Sequence, residues 1–385
     1  MESIKGKTVY IVVVRYVDLP LWKSLELLKP RASHMYYRIW ENQRLYRSKT
    51  MYRGHLIGVV VPAFNEWELI HETLVAIPSY VDRIYAVDDG STDGTGAVIE
   101  KLQEIEGRFV CLRHERNRGV GAAIITGYQE AIAEGVDIIA VMAGDNQMDP
   151  EELPGLLDPI VERRADYTKG NRLLYRGHRD GMGKWRYFGN TLLTFLTRIG
   201  SGYWHLSDPQ NGYTAISSVV FQRFSPESIY PWYGYCNDLL VKLNAYGFRV
   251  MDITMPARYG REKSKIRYST YIPRVSWLLL RKFFWRLRVK YLFLQFHPLV
   301  LFYLMGILLI PLGLLGCVNA LYHFFVLEGP LFIRGVLSLL LLAAGTQFLL
   351  FGMVYDLMAS PEMETTELDV ESKKQARFRG ERGRG

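Results

Sequence analysis

Between residues 55 and 257 the chain alternates short β-branched runs with longer amphipathic stretches. "LIGVVVPAF", "VDRIYAVDDGS", "RFVCLRHE" and "DIIAVMAGD" read as strands; "EWELIHETLVAI", "TGAVIEKLQEI" and "GAAIITGYQEAIAEG" read as helices. This alternation predicts an α/β layer structure with a mainly parallel sheet flanked by helices. Such sheets bind ligands at the carboxyl ends of their strands, and the conspicuous polar motifs here fall at such ends.

A second pattern governs the C-terminal part. No Asp, Glu, Lys or Arg occurs between Lys290 and Glu328, or between Arg334 and Asp356. Each gap holds the roughly 20 apolar residues needed to cross a bilayer, with cores at Leu299 to Leu315 and Gly335 to Met353. Basic residues flank the pair: Arg281, Lys282, Arg286, Arg288 and Lys290 before it, and Lys373, Lys374, Arg377, Arg379, Arg382 and Arg384 after it. The expected arrangement is a two-span membrane protein with its α/β part and both termini in the cytoplasm. Upstream, Tyr271 to Phe296 mixes Trp277, Phe283, Phe284 and Trp285 with Arg274, Arg281 and Arg288 at seven-residue spacing, as a helix lying in the membrane interface does. Lys184 to Gly200, with Trp185, Phe188, Leu192, Leu196 and Ile199 near one face, fits an interfacial helix and a core-facing one equally. The expected divisions are an N-terminal extension at 1–54, an α/β domain at 55–260, a basic loop with interfacial helices at 261–295, two spans at 296–357 and a charged tail at 358–385.

At 385 residues and 49% hydrophobic, the chain exceeds what a single core usually organises. A net charge of +8 suits nucleic acid, an anionic membrane or a phosphorylated substrate, and does not choose among them. Three scattered cysteines, Cys111, Cys236 and Cys317, offer neither a disulfide framework nor a CxxC metal pair. The apolar run in "MESIKGKTVYIVVVRYVDLPLW" is interrupted by Arg15 and is too short for a signal or a span, so no targeting segment is read there.

Taken singly, the polar motifs are ambiguous. Asn65 and Glu66 after "VVVP" could simply cap a helix. Asp89, Ser91, Asp93, Gly94 and Glu100 fall on calcium-loop positions, yet "RIYAV" before them reads as a strand where an EF-hand has a helix. Gly119 and Gly121 would let an anion approach a helix N-terminus, although the dinucleotide fingerprint is incomplete. Asp145, at a strand end with Gln147 two residues on, can offer hard oxygen ligands to Mg²⁺ or Mn²⁺ bridging a diphosphate; a turn carboxylate capping the helix of "DPEEL" is the simpler alternative.

In order, "VVVPAFNE", "VDDGSTDGT", "NRGVGAAIITGYQEA", "AGDNQMDPEEL", "GNRLL", "KWRYFGN", "SDPQNGYTAIS" and "GREKSK" resemble the family 2 glycosyltransferases of GT-A fold, especially the polyprenyl-phosphate glycosyltransferases. The resemblance covers His55 to Tyr268. It implies a donor pocket of Pro62, Ala63, Asn65, Glu66, Asp88, Asp89 and Gly121, and a metal on Asp145 and Gln147. It also implies that Arg172, Arg186 and Arg261 hold an acceptor phosphate, that Lys265 closes over the donor phosphates, and that Asp238 plays a secondary, ordering part. Ala143 stands where family members commonly carry an additional Asp, which leaves the ion site poorer in charge.

The implied partners are a UDP- or GDP-linked sugar, a polyprenyl phosphate and the membrane, with no part for nucleic acid and a homo-oligomer compatible. The implied reaction inverts the anomeric centre in one displacement. Two other classes fit the sequence less well. A processive polysaccharide synthase should carry QxxRW, and no such string occurs. A non-catalytic nucleotide- or calcium-binding membrane protein would draw on Ala143 and on the Asp89 to Glu100 loop.

Overall fold

The computed structural model describes residues 51–173, 184–256, 268–294, 297–328 and 330–359, with the side chains of 184–188 and of residue 268 outside that description. The elements run β1 (Ile57–Ala63), α1 (Ile70–Val75), β2 (Arg83–Asp88), α2 (Thr95–Ile105), β3 (Phe109–Arg113), α3 (Val120–Ala133), β4 (Ile138–Val141), α4 (Leu153–Val161), β5 (Tyr167–Asn171), α5 (Lys184–Ser201), β6 (Thr214–Ser217), α6 (Ser218–Phe221), α7 (Tyr235–Ala245), β7 (Val250–Thr254), α8 (Tyr268–Arg288), α9 (Leu299–Phe325) and α10 (Phe332–Met358). Of the 1–54 extension, residues 51–54 are described, and there the Tyr52 hydroxyl donates to Asp158 Oδ1 at 2.6 Å.

The seven strands form one sheet in the order β3-β2-β1-β4-β6-β5-β7. β1 is apolar on both sides because both faces are covered. Val60 packs with Tyr85, Ala123 and Tyr128 in one core, while Val59 and Val61 pack with Ile70, Ile84 and Ile99 in the other. Four of the six strand pairings are parallel; β6 alone runs against both its neighbours. Reversal of β6 has a functional consequence. Thr214, at its start, is in register with Val141 at the end of β4 and with Lys169 in β5. The loop that leads into β6 therefore lies on the same edge as the carboxyl ends of β1, β2, β4 and β5.

On α8 the inward positions Val275, Leu279 and Phe283 are buried, while Arg274, Trp277, Leu280, Arg281, Phe284 and Arg288 form an exposed stripe at helical spacing. α5 buries Leu193 and Thr197 and packs Leu196 and Ile199 against buried residues of the neighbouring helices, while Leu192 and Phe195 are exposed. The described residues of α5 thus show a core-facing side and two exposed apolar residues, as both readings allow.

α9 and α10 are each 27 residues, long and apolar enough to cross a membrane, and only 22% and 17% of their apolar windows are buried. Such exposure is unlike the core hairpin of a soluble protein. The two helices meet through residues spaced by seven: Gly306, Gly313 and Ala320 on α9, and Ser338, Gly345 and Gly352 on α10. A Cβ on Gly313 would stand 2.8 Å from the backbone nitrogen of Leu342, so the close approach requires glycine.

Candidate active site

The end of β1 is tied to the loop that follows β2. Asn65, in left-handed backbone at φ 55°, donates its amide to Ser91 Oγ at 3.0 Å and accepts the Thr92 amide on Oδ1 at 2.9 Å. The Glu66 amide donates to Thr95 Oγ1 at 2.9 Å, and the Trp67 amide to Asp93 Oδ2 at 3.3 Å. Burial works against the charge on Asp93, but hydrogen bonds from the Thr95 hydroxyl and amide prevail and hold its carboxyl below the usual carboxylate range. Asn65 and Glu66 thus do more than cap a helix: they clamp two strand ends together.

Asp88 and Asp89 are 0% and 3% exposed. Asp88 Oδ1 accepts the Ser91 amide at 2.9 Å, and Oδ2 faces Arg113 Nε at 3.4 Å. Asp89 carries His114 Nδ1 at 2.6 Å and the Arg118 amide at 2.9 Å on Oδ1, and the Gly119 amide at 2.8 Å on Oδ2. His114 continues to Thr126 Oγ1 at 3.0 Å. These carboxylates shape the loop from within. His114 was not singled out from sequence, where a lone histidine carries no signal of its partner.

Asp145 sits in the turn that leaves β4. Its Oδ1 accepts the Gln147 amide at 3.1 Å, and Asn146 between them is left-handed at φ 57°. The turn is pinned to the β1 end, since the Gly144 amide donates to the Pro62 carbonyl at 3.2 Å and Thr73 Oγ1 donates to the Gly144 carbonyl at 3.2 Å. Asp149 caps the next turn through the Glu151 amide, so the capping task foreseen for Asp145 falls to Asp149. Asp145 itself is half-buried, with the second carboxylate oxygen taking no hydrogen bond from the described residues.

Across the edge, Arg172 forks onto Asp208, with Nε to Oδ2 at 2.8 Å and one terminal nitrogen to Oδ1 at 3.3 Å. Burial opposes ionisation of Asp208, yet Arg172, followed by Lys169, holds its carboxyl below the ordinary range. Lys169 is wholly buried on β5 and donates to the carbonyls of Asp208 at 2.5 Å and Asn211 at 3.0 Å. Burial lowers its pKa. The Asp252 carboxylate accepts the Ser207 amide at 2.7 Å and Asn171 Nδ2 at 2.8 Å. This loop also touches the Asp145 turn, because Tyr213 donates its hydroxyl to the Asp149 carbonyl at 2.9 Å and a Cβ on Gly212 would meet Met148 at 3.5 Å. The Asp145 turn and the Arg172–Asp208 pair therefore share one strand-end edge.

A glycosyl transferase family 2 model matches residues 58–224, the span that contains this edge. The chain is also 30% identical over 207 residues to a polyprenol monophosphomannose synthase of Mycolicibacterium smegmatis, covering 51% of this chain and 74% of that protein. The chain belongs to glycosyl transferase family 2. It is a glycosyltransferase with a GT-A-like mixed sheet, as its motifs led us to expect. It is similar, at 29% identity over 199 residues, to a UDP-N-acetylglucosamine--dolichyl-phosphate N-acetylglucosaminyltransferase of Methanococcus voltae, covering 48% of this chain and 79% of that protein. A solved glucosyl-3-phosphoglycerate synthase from Mycobacterium tuberculosis aligns at 20% identity with a TM-score of 0.45, over 64% of this chain and 83% of that one.

Two expectations are corrected within the glycosyltransferase. Gly119 and Gly121 do not open a helix N-terminus to an anion. A Cβ on either would stand 2.6 Å from a carbonyl oxygen of Tyr230 or Pro231, and the Ala122 amide already donates to Pro231 at 2.9 Å. The glycines admit a protein segment, and Gly121 leaves the donor set. The calcium-loop reading also fails, because Asp89 turns both oxygens toward His114 and backbone amides while Glu100 reaches Arg113. Among the described residues no group of three or more His, Cys, Asp or Glu could hold a metal by itself.

Asp238 is wholly buried at the start of α7. It pairs with Lys242 Nζ at 2.7 Å and Lys282 Nζ at 2.8 Å and accepts the Tyr230 amide at 2.8 Å. It orders the 230–235 segment and ties it to α8. Burial, aided by Lys282, pulls Lys242 down to about 8. Arg261 and Lys265 lie outside the described residues; Arg186 falls in the first turn of α5, with its side chain outside the description.

Proposed function

We propose that this glycosyltransferase is membrane-bound and moves a hexose from a UDP- or GDP-linked sugar onto a dolichyl or undecaprenyl phosphate, with inversion. One observation carries the reading. A single strand-end edge brings the Asp145 turn beside the Arg172–Asp208 pair, in a chain that also carries an exposed apolar hairpin. An activated-sugar site and an anion-oriented arginine beside a bilayer suit a greasy phosphorylated acceptor. The names of the Methanococcus and Mycolicibacterium relatives support a lipid-phosphate acceptor.

An ionised phosphate is already a nucleophile, so the reaction needs no general base. Its oxygen forms the bond to the anomeric carbon as the bond to the nucleoside diphosphate breaks, and the diphosphate leaves with that electron pair. The β1 and β2 ends, with Pro62, Ala63, Asn65 and Glu66, would seat the donor, while Arg172, held in plane by Asp208, orients the acceptor phosphate. Arg186, Arg261 and Lys265 are assigned to phosphate oxygens on the family resemblance alone. Asp145 offers one carboxylate with an oxygen left to coordinate, Gln147 an amide oxygen, and Ala143 none. This donor set fits Mg²⁺ or Mn²⁺, which Asp145 and Gln147 would hold. When bound, the ion neutralises the leaving diphosphate.

The basic residues flanking the hairpin in the sequence support a catalytic domain and termini on the cytoplasmic side under this reading. The test is incubation of membranes containing the protein with radiolabelled sugar nucleotides and a panel of polyprenyl phosphates. Label in a solvent-extractable lipid carrying a single sugar is expected. Label confined to polymer, or absent from lipid with every donor, would remove the proposal.

A further inference from the structure

Arg286 and Asp356 are both 0% exposed, although one lies near the end of the interfacial helix α8 and the other two residues before the end of the second span. Every N–H of Arg286 is directed. Nε donates to the Gly200 carbonyl at 3.0 Å. One terminal nitrogen donates to Asp356 Oδ1 at 2.8 Å and Asn244 Oδ1 at 3.4 Å, and the other to Asp356 Oδ2 at 2.7 Å and the Ile199 carbonyl at 3.1 Å. Asp356 also accepts the Tyr291 hydroxyl at 2.5 Å, and Lys290 reaches Asn244 Oδ1 at 2.8 Å and the Ala359 carbonyl at 3.4 Å. Phe283, Leu287, Leu299 and Tyr303 close around this cluster. The backbone makes room for it, since Gly202 turns at φ 78° where a Cβ would lie 2.2 Å from the guanidinium.

A tether needs none of this. A hairpin that merely anchors the enzyme could hang from a solvated linker, whereas an ionised residue in a spanning helix is costly unless it is paired. Five segments converge here: the end of α5, α7, α8, the turn Val289–Leu294 and α10. α5 carries Arg186 in its first turn and delivers its last carbonyls to Arg286, and the chain leaving it through Gly202 reaches Asp208 six residues later. The acceptor half of the site is thereby joined to the hairpin through one rigid helix and a short loop.

We propose that Arg286 and Asp356 are positioning residues that lock the membrane hairpin to the catalytic domain, so that the acceptor half is held at a fixed height and tilt against the bilayer. The kinetic consequence rests on the function proposed above; the lock itself does not. Both are tested in the full chain in phospholipid nanodiscs, comparing wild type with Asp356→Asn and with the milder Tyr291→Phe. The readouts are amide hydrogen exchange, affinity for the nucleoside diphosphate, and transfer to undecaprenyl phosphate in the bilayer and to soluble farnesyl phosphate. In Asp356→Asn, exchange at Ile199 to Gly202 and at Lys290 and Tyr291 rises, and KM for the bilayer acceptor rises about tenfold while kcat and the farnesyl phosphate KM stay within about twofold. Tyr291→Phe moves the same quantities less. Unchanged exchange in both variants, or equal kinetic losses on both acceptors with nucleotide affinity retained, overturns the lock. Should Asp356→Asn lose nucleotide affinity through misfolding, Tyr291→Phe decides by the same criteria. If wild type labels neither acceptor, the functional reading fails and exchange alone decides the lock.

Discussion

The two halves of the strand-end edge are built by different chemistry. On the half proposed to seat the donor, at β1 and β2, the carboxylates of Asp88, Asp89 and Asp93 mostly accept backbone amides within a few dozen residues of themselves. On the half proposed to hold the acceptor, at β5 and β6, side-chain charges meet across the chain: Arg172 with Asp208, and Lys169 with the carbonyls of the 208–211 loop. Amide-held loops are preorganised without placing a net charge where the ligand sits. Ion-paired loops keep a cation in fixed orientation for an incoming anion. A nucleotide is gripped along its length and suits the first; a lone phosphate at the end of a lipid suits the second.

The sharpest way to break this division is to remove its shared centre. Asp145→Ala should lower kcat by roughly 10²–10³-fold with the protein still folded, because leaving-group stabilisation acts in the transition state. Transfer of radiolabelled sugar to lipid measures it, and full activity would sink the metal assignment. Next in size, Asp208→Asn should raise KM for polyprenyl phosphate about 10- to 100-fold, as the Arg172 fork loses its charged partner. Donor affinity should be unchanged. A variant that loses donor and acceptor alike would show that the halves are not separable.

The same division explains what could be read from sequence. The proposed donor half is written in contiguous strings, "VVVPAFNE" and "VDDGSTDGT", which pair largely with each other across successive βα units, so residue types at fixed spacing were enough to propose it. The two long apolar helices were legible for a similar reason, since freedom from charge over 20 residues is a local property. Asp208 and Lys169 were not assigned, although both stand in quoted or adjacent strings. Their meaning depends on β6 running antiparallel, which brings residue 208 beside residue 169, and strand direction leaves no mark in a four-residue run such as "TAIS". Gly119 and Gly121 failed in the opposite sense. A glycine announces close approach but not what approaches, and here it is the Tyr230 to Tyr235 segment of the protein itself.

A smaller effect, on stability, separates scaffold from ligand contact on the donor half. Asp89→Ala would strand the Arg118 and Gly119 amides and His114 Nδ1 in a buried site. Unfolding should become easier by roughly 2–4 kcal/mol, given the cost of unsatisfied buried donors. Urea denaturation without nucleotide measures it. A loss of donor affinity with no loss of stability would make Asp89 a ligand residue and not a holder of the loop.

The smallest expected effect lies on the acceptor half and appears only on titration. Burial raises the Asp252 pKa from 3.8 to about 6, against the opposing pull of Lys169. A carboxyl whose pKa is higher in the folded state binds its proton more tightly there. Its contribution is fully present below about pH 4 and is lost as the pH rises through 6. Wild type should therefore lose stability relative to Asp252→Asn between pH 4 and 7, by roughly 3 kcal/mol at most. The Ser207 amide and Asn171 both donate to Oδ2 and favour the ionised form, so these loop contacts persist and the loss comes from burying the charge itself. Stability curves that run parallel across this range would mean that Asp252 is already ionised at pH 4, with Lys169 outweighing burial. The acceptor loop would then rest on a buried ion pair and not on a titrating carboxyl.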